Sequence, residues 1–148
     1  SRAPQKALLN MLVLVDTSIW SLALRRMSTD LNLREQRLTA ALRELIRDGR
    51  AQILGPVRQE LLSGIRQESS FRKLRDQLRA FDEPHIEAAD YEQAAHISNQ
   101  CRSRGIAGSA IDFLICAVAS RRDWQVFTTD HDFTRYASAI HLDLYRVN

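Results

Sequence analysis

Hydrophobic positions along the chain alternate between two rhythms. Leu12 to Val15 is an unbroken aliphatic run, too short and too uniform for an amphipathic helix, and predicts a fully buried strand. Thr17 to about Arg26 predicts a helix. Leu31 to Arg50 predicts a second, with Leu38, Leu42, Leu45 and Ile46 at helical spacing between charges and Gly49 as its stop. Ala51 to Leu54 is a short strand candidate, after which Gly55-Pro56 opens a helix, because proline suits a first turn. Ser69 to Ala80 is a basic amphipathic helix with Phe71, Leu74 and Leu78 on one side. Phe81 to Asp90 is a connection with room for a short strand. Tyr91 to Arg104 is helical and ends at Gly105. Ser109 to Arg122 is helical and apolar nearly all round, which places it centrally. Gln125 to Asp130 predicts a strand, Asp132 to Ala137 a short helix, and His141 to Val147 a last strand with period-two alternation.

Strands alternating with helices predict an α/β fold: three layers, α/β/α, around a central, mostly parallel sheet. No internal repeat or long linker interrupts the pattern, so residues 11–148 are expected to be one domain. Ser1 to Asn10 reads as a leader or expression remnant, with Met11 as a plausible native start. In sheets of this kind ligands bind at the carboxyl ends of the strands. That rule singles out the polar residues that follow each strand. Asp16 follows the first. Glu60 lies just over one turn into the helix after Ala51–Leu54. Asp130 follows the Gln125 strand, with Asp132 two residues further on, and Asp112 stands in the first turn of the apolar helix.

Each acid has a local explanation. Asp16 suits the N-cap of the Thr17 helix, Ser109-Ala-Ile-Asp112 matches a capping box, and Asp132 suits the N-cap of the following helix. Glu60 suits a solvated helix face. As a set they mean more. Carboxylates that converge in a half-buried place repel one another at neutral pH and need protons or cations to balance them. No lysine is placed to do so. Oxygen-only ligands select a hard divalent ion, Mg²⁺ or Mn²⁺ in its place. Such an ion acidifies a bound water and neutralises charge building on a phosphoryl oxygen. Asp16, Asp112 and Asp130 are the expected metal ligands, with Glu60 orienting the attacking water or assisting a second metal. Asp16 is expected both to cap its helix and to hold metal, with helix N–H groups favouring its ionised form.

Charge and composition then narrow the classes. The net charge is +3, and setting aside Arg2 and Lys6 leaves +1, so non-specific affinity for nucleic acid is weak. Of 21 basic residues only Lys6 and Lys73 are lysines. Arginine suits bidentate phosphate contacts, though codon bias produces the same composition. Cys101 and Cys116 have no CxxC spacing, which argues against a zinc site or disulfide framework and for a reducing cytoplasm. No apolar run approaches the roughly 20 residues that span a bilayer, and no secretory signal opens the sequence. A Gly-rich phosphate loop of P-loop spacing is missing. His85, His96, His131 and His141 are scattered and do not read as ligands.

Four stretches together resemble a known family. "VLVDTSIW", "PVRQELLSG", "AIDFLICAVA" and "VFTTDHDF" resemble, in order, the motifs of PIN-domain nucleases, and they span Val13 to Phe133. The compact size resembles the VapC-type toxins of bacterial toxin–antitoxin pairs. Cys116 and the Arg122-Asp-Trp124 segment depart from the usual pattern without touching an acid. Residue by residue, Asp16, Glu60, Asp112 and Asp130 match the acidic quartet. Asp132 matches a frequent neighbour, and Thr17 and Thr128 match supporting hydroxyls. The resemblance implies Mg²⁺-dependent cleavage of RNA, with Mn²⁺ able to substitute, a homodimer, and a neutralising antitoxin. A groove between the helix carrying "IWSLAL" and the Leu31–Arg50 helix is the expected seat of the antitoxin tail.

Two other classes compete. A phosphoacceptor receiver domain also uses Mg²⁺ and strand-end acids. It needs an acid pair after the first strand and a lysine near the end, and neither is present. A non-catalytic PIN-like domain that binds RNA or acts as a scaffold would be expected to lose acids, and here all four stand.

Overall fold

The side chains of Val13, Leu14 and Val15 have no solvent exposure, and the strand they form, β1 (Val13–Val15), lies inside a four-stranded sheet. A strand paired on both edges and covered on both faces leaves no side for polar residues, hence the run without alternation. The structure is a computed structural model that describes residues 10–147, so the expected leader, apart from Asn10, lies outside the described residues. The sheet runs in the order β2-β1-β3-β4, with β2 (Ala51–Gln52), β3 (Gln125–Phe127) and β4 (Asp143–Leu144). All three pairings are parallel, so the sheet is parallel throughout.

Seven α-helices among the described residues connect and flank these strands: α1 (Thr17–Leu24), α2 (Leu33–Arg47), α3 (Gly55–Leu62), α4 (Glu68–Leu78), α5 (Ala88–Ser103), α6 (Ala110–Arg122) and α7 (Asp132–Ala139). The chain steps one way from β1 to β2 and the other way from β2 to β3 and β4. Right-handed crossovers in opposite directions put helices on both faces of the sheet. Helix α6 is the most enclosed, with Phe113 to Ala119 all buried, as its uniformly apolar sequence predicts. It packs along α5 and against β1 and β3.

The differences from the sequence reading have local causes. Helix α2 begins at Leu33 because Asn32 accepts from Glu35 N while the Glu35 side chain accepts from Asn32 N, a capping box. Ile46 stands at the edge of its apolar stripe and is exposed, whereas Leu38, Leu42 and Leu45 are buried. Gly49 does end the helix, at φ +69°, where a side chain would be strained. Strand β2 is two residues long because Leu54 already serves as the N-cap of α3. The short strand allowed within Phe81–Asp90 is a single parallel bridge, Gln52 to Asp82. Helix α5 starts three residues early because Asp90 turns back to accept from Glu87 N at 2.8 Å. The apolar excess of "IWSLAL" is consumed by the core: Ile19, Trp20 and Leu22 are buried, and α1 packs directly on α2. A depression lies between Leu24 and Arg25 at the end of α1 and Lys73 and Leu74 of α4.

One register detail positions the site. Val13 pairs with Gln125 and Val15 with Phe127, so β1 and β3 end level. The next residues, Asp16 and Thr128, therefore leave the sheet side by side.

Candidate active site

Asp16 is 7% exposed, unusual for a carboxylate. Its N–H extends the ladder by donating to Phe127 O at 2.9 Å. It occupies the N-cap position of α1 with an extended backbone, yet its carboxylate makes no capping bond. Instead Oδ2 accepts from Thr128 Oγ1 at 2.8 Å and Ser18 Oγ at 2.9 Å. The helix N–H groups of Thr17 and Ser18 do favour the ionised form, as expected, and the Thr128 and Ser18 hydroxyls stand ahead of them. Burial pushes its pKa above the ordinary value, and the Thr128 and Ser18 bonds pull against that rise.

Those hydroxyls are fixed in turn. Ser18 Oγ accepts from Thr129 N at 3.0 Å, and Thr128 Oγ1 accepts from Asp130 N at 2.9 Å. The turn after β3 is thus laced to the start of α1. Asp130 Oδ1 accepts from Asp132 N at 2.9 Å, which starts α7. Asp132 is the first residue of that helix and His131 its N-cap, so the expected capping role of Asp132 passes to the Asp130 side chain.

Asp112 comes from the first turn of α6. Ser109 Oγ accepts from Asp112 N at 3.1 Å, one half of the expected capping box. The Asp112 carboxylate does not reach back. Its Oδ2 accepts from Tyr136 OH at 2.7 Å. Burial raises its pKa first; the Tyr136 bond opposes this, and the charges of Asp16 and Asp130 raise it further. The repulsion anticipated from the sequence is therefore present in the geometry. Glu60 is exposed on α3 and accepts from Thr17 Oγ1 at 2.9 Å, which ties α3 to α1.

A cavity of about 330 Å³ is lined by all four expected acids, Asp16, Glu60, Asp112 and Asp130, with Thr17, Ser18, Ser109 and Ile111. Among the described residues, no basic residue lines it. Carboxylate oxygens of Asp112, Asp130 and Asp132 lie within 4.8 Å of one another. Asp132 thus stands closer to the cluster than a mere neighbour, while Asp16 meets the same cavity with one oxygen already engaged by hydroxyls. An oxygen-only donor set without a balancing cation fits a hard divalent ion.

Two contributors were not read from the sequence. Tyr136 was taken as an ordinary part of a short helix. A tyrosine three residues after Phe133 on a buried stripe needs a partner for its hydroxyl, and that is the signal it carried. Ser18 lay unremarked inside the "DTSIW" motif.

The sequence matches the family model of the PIN domain over residues 13–139, and the chain belongs to that family. Comparison with curated proteins finds no significant match. Solved structures share the fold at low identity. FitAcB from Neisseria gonorrhoeae superposes with a TM-score of 0.70 at 21% identity, over 91% of this chain and 97% of that one. VapBC2 from Rickettsia felis, bound to a DNA fragment from its promoter, gives 0.72 at 18%, over 93% and 100%. VapC20 from Mycobacterium tuberculosis, described as a sarcin–ricin loop cleaving toxin, gives 0.62 at 19%, over 88% and 98%.

Proposed function

We propose that this protein is a divalent-metal-dependent endoribonuclease toxin of the VapC type, neutralised by a cognate antitoxin. The observation that supports this most directly is the cavity that gathers Asp16, Glu60, Asp112 and Asp130 with no basic residue among the described residues that line it. The PIN family match and the toxin–antitoxin complexes among its structural neighbours point the same way.

Asp16, Asp112 and Asp130 are the residues that would hold Mg²⁺ or Mn²⁺, with Asp132 at hand. When bound, that ion supplies positive charge for the phosphoryl oxygens and makes a water more acidic. The protein's own groups do the rest. Thr128 and Ser18 hold the Asp16 carboxylate in one orientation, and Tyr136 does the same for Asp112. Glu60 keeps Oε2 on Thr17 and has Oε1 free to orient the attacking water and take its proton. Attack at phosphorus expels the ribose 3′-oxygen and leaves a 5′-phosphate and a 3′-hydroxyl. The cavity has no histidine to activate a 2′-hydroxyl.

A cytoplasmic homodimer belongs to the same reading. Among the described residues no helix is long and apolar enough to cross a membrane. Light scattering at micromolar concentration is expected to give twice the chain mass. The deciding experiment is cleavage of a labelled single-stranded RNA with Mg²⁺ and analysis of the ends. Products carrying a 2′,3′-cyclic phosphate, or cleavage that continues in excess EDTA, would overturn the reading.

A further inference from the structure

Beside the acid cavity lies a larger depression of about 520 Å³ at the C-terminal ends of β3 and β4, and Asp130 lines both. Arg34 and Arg37 of α2, the Thr128–His131 turn and Arg146, just past β4, line it. Asp130 is the one acid on its lining. Arg34, Arg37 and Arg146 are all exposed, and among the described residues none has a hydrogen-bond or ion-pair partner. Arg34 and Arg37 are three apart on one helix, so their Cβ atoms stand about 5–6 Å from each other on a shared face. Three unpaired guanidiniums around one hollow repel one another until an anion separates them. The acid cavity beside them has the opposite problem, because its carboxylates repel a polyanionic substrate.

We propose that this groove cradles the single-stranded RNA backbone next to the scissile bond, with Arg34, Arg37 and Arg146 each taking a phosphate. This rests on the ribonuclease reading above. Guanidinium forks match phosphate oxygens bidentately. Tyr145, half-buried in the same lining, adds an aromatic side chain of the kind on which bases stack. A repeated array of cations suits a chain with a charge on every unit better than it suits a peptide. The groove and the cavity together then give the substrate a track: phosphates held by arginines on one side of Asp130, bond cleavage among the acids on the other.

The test uses a fluorescein-labelled 12-nucleotide single-stranded RNA in EDTA, where binding is read by anisotropy without cleavage. The triple variant Arg34→Ala, Arg37→Ala, Arg146→Ala is expected to bind more than about tenfold more weakly than wild type. Its slope of log affinity against log salt should be shallower by about 2, roughly 0.7 for each of three phosphates lost. Arg43→Ala, which removes the same charge from the same helix outside the groove, is expected to bind like wild type. Should the triple variant melt early, the three single exchanges each carry about a third of the slope change. With Mg²⁺ the triple variant should raise KM and leave kcat nearly unchanged. Equal weakening by Arg43→Ala would reduce the effect to general charge and overturn the groove. So would wild-type affinity in the triple variant, even if cleavage with the expected end groups stood. Loss of binding in a protein that never cleaves RNA would keep the groove and remove the nuclease. A decamer of glutamate that binds wild type more tightly than the RNA, and loses that affinity in the triple variant, would make this a peptide site instead.

Discussion

The Tyr136 hydroxyl donates to Asp112 Oδ2 at 2.7 Å, joining α7 to the first turn of α6 across 24 residues of chain. Both partners respond to the contact. It lowers the Asp112 pKa against the rise from burial, and burial with the Asp112 carboxylate pushes the Tyr136 phenol well above its ordinary value. Tyr136→Phe removes the opposing contribution, so Asp112 should titrate at higher pH still. The acid limb of the activity profile is expected to move upward, with a loss at neutral pH that reflects about 1.5–3 kcal/mol for a hydrogen bond to a charged group. An unchanged pH profile would show that Tyr136 serves packing alone.

Asp112→Asn should melt higher than wild type in EDTA while losing cleavage. The sign follows from the raised pKa values of Asp16 and Asp112. A carboxyl whose folded pKa lies above its unfolded value of 3.8 contributes stability that is present below that value and lost as pH rises through the folded one. At neutral pH both acids therefore strain the metal-free fold. An asparagine keeps an acceptor for Tyr136 without the charge. The gain is expected to be a few degrees, since about 1 kcal/mol is worth roughly 2–4 °C at this size. Calorimetry across pH 4 to 8 checks it, and the gap between the two proteins should widen toward neutrality.

Gly108 should not tolerate alanine. A Cβ there would sit 2.5 Å from Tyr136 Oη and 2.6 Å from Phe113 Cζ, both on rigid rings. Gly108→Ala is expected to cost about 1–3 kcal/mol through overpacking. It should also weaken activity by moving the tyrosine off Asp112. Thermal melting and kcat, measured together, should both fall.

Asp90 is fully buried and holds Arg121 and Arg122, each at 2.7 Å, while capping the start of α5. Asp90→Ala leaves two guanidiniums without their shared anion and is expected to destabilise by about 3 kcal/mol, the lower end for breaking a buried pair. The Arg122 bond holds the Asp90 carboxyl well below the usual range. Its contribution is thus present above the ordinary carboxylate pKa and fades only as pH falls through the depressed one. Urea unfolding at pH 7 and at pH 3 should show the variant's deficit shrinking only in strong acid.

The acids were legible in the sequence because each follows a strand or opens a helix, positions that chain order alone reveals. Asp16, Glu60, Asp112 and Asp130 share one cavity for that reason. What holds them was less legible. Ser18 and Thr128 meet at Asp16 only because β1 and β3 end level, and that register is a property of the paired sheet. Asp90, inside a stretch read as a connection, resembles any surface acid until the α5–α6 packing buries it. The short strands β2 and β4 are held by their neighbours' pairing more than by their own two residues, so their lengths were overestimated.

The β1–β3 pairing has a further consequence, for the moment of synthesis. Asp16 and Thr128 are 112 residues apart in the chain, yet the hydroxyl of one orients the carboxylate of the other. While the polypeptide is being made, its first strand therefore emerges long before the residues that complete its acid cluster. No nascent fragment that ends before Asp130 can assemble the four carboxylates. A chain of this topology therefore carries an incomplete acid cluster on the ribosome until its third strand and the turn after it have been made.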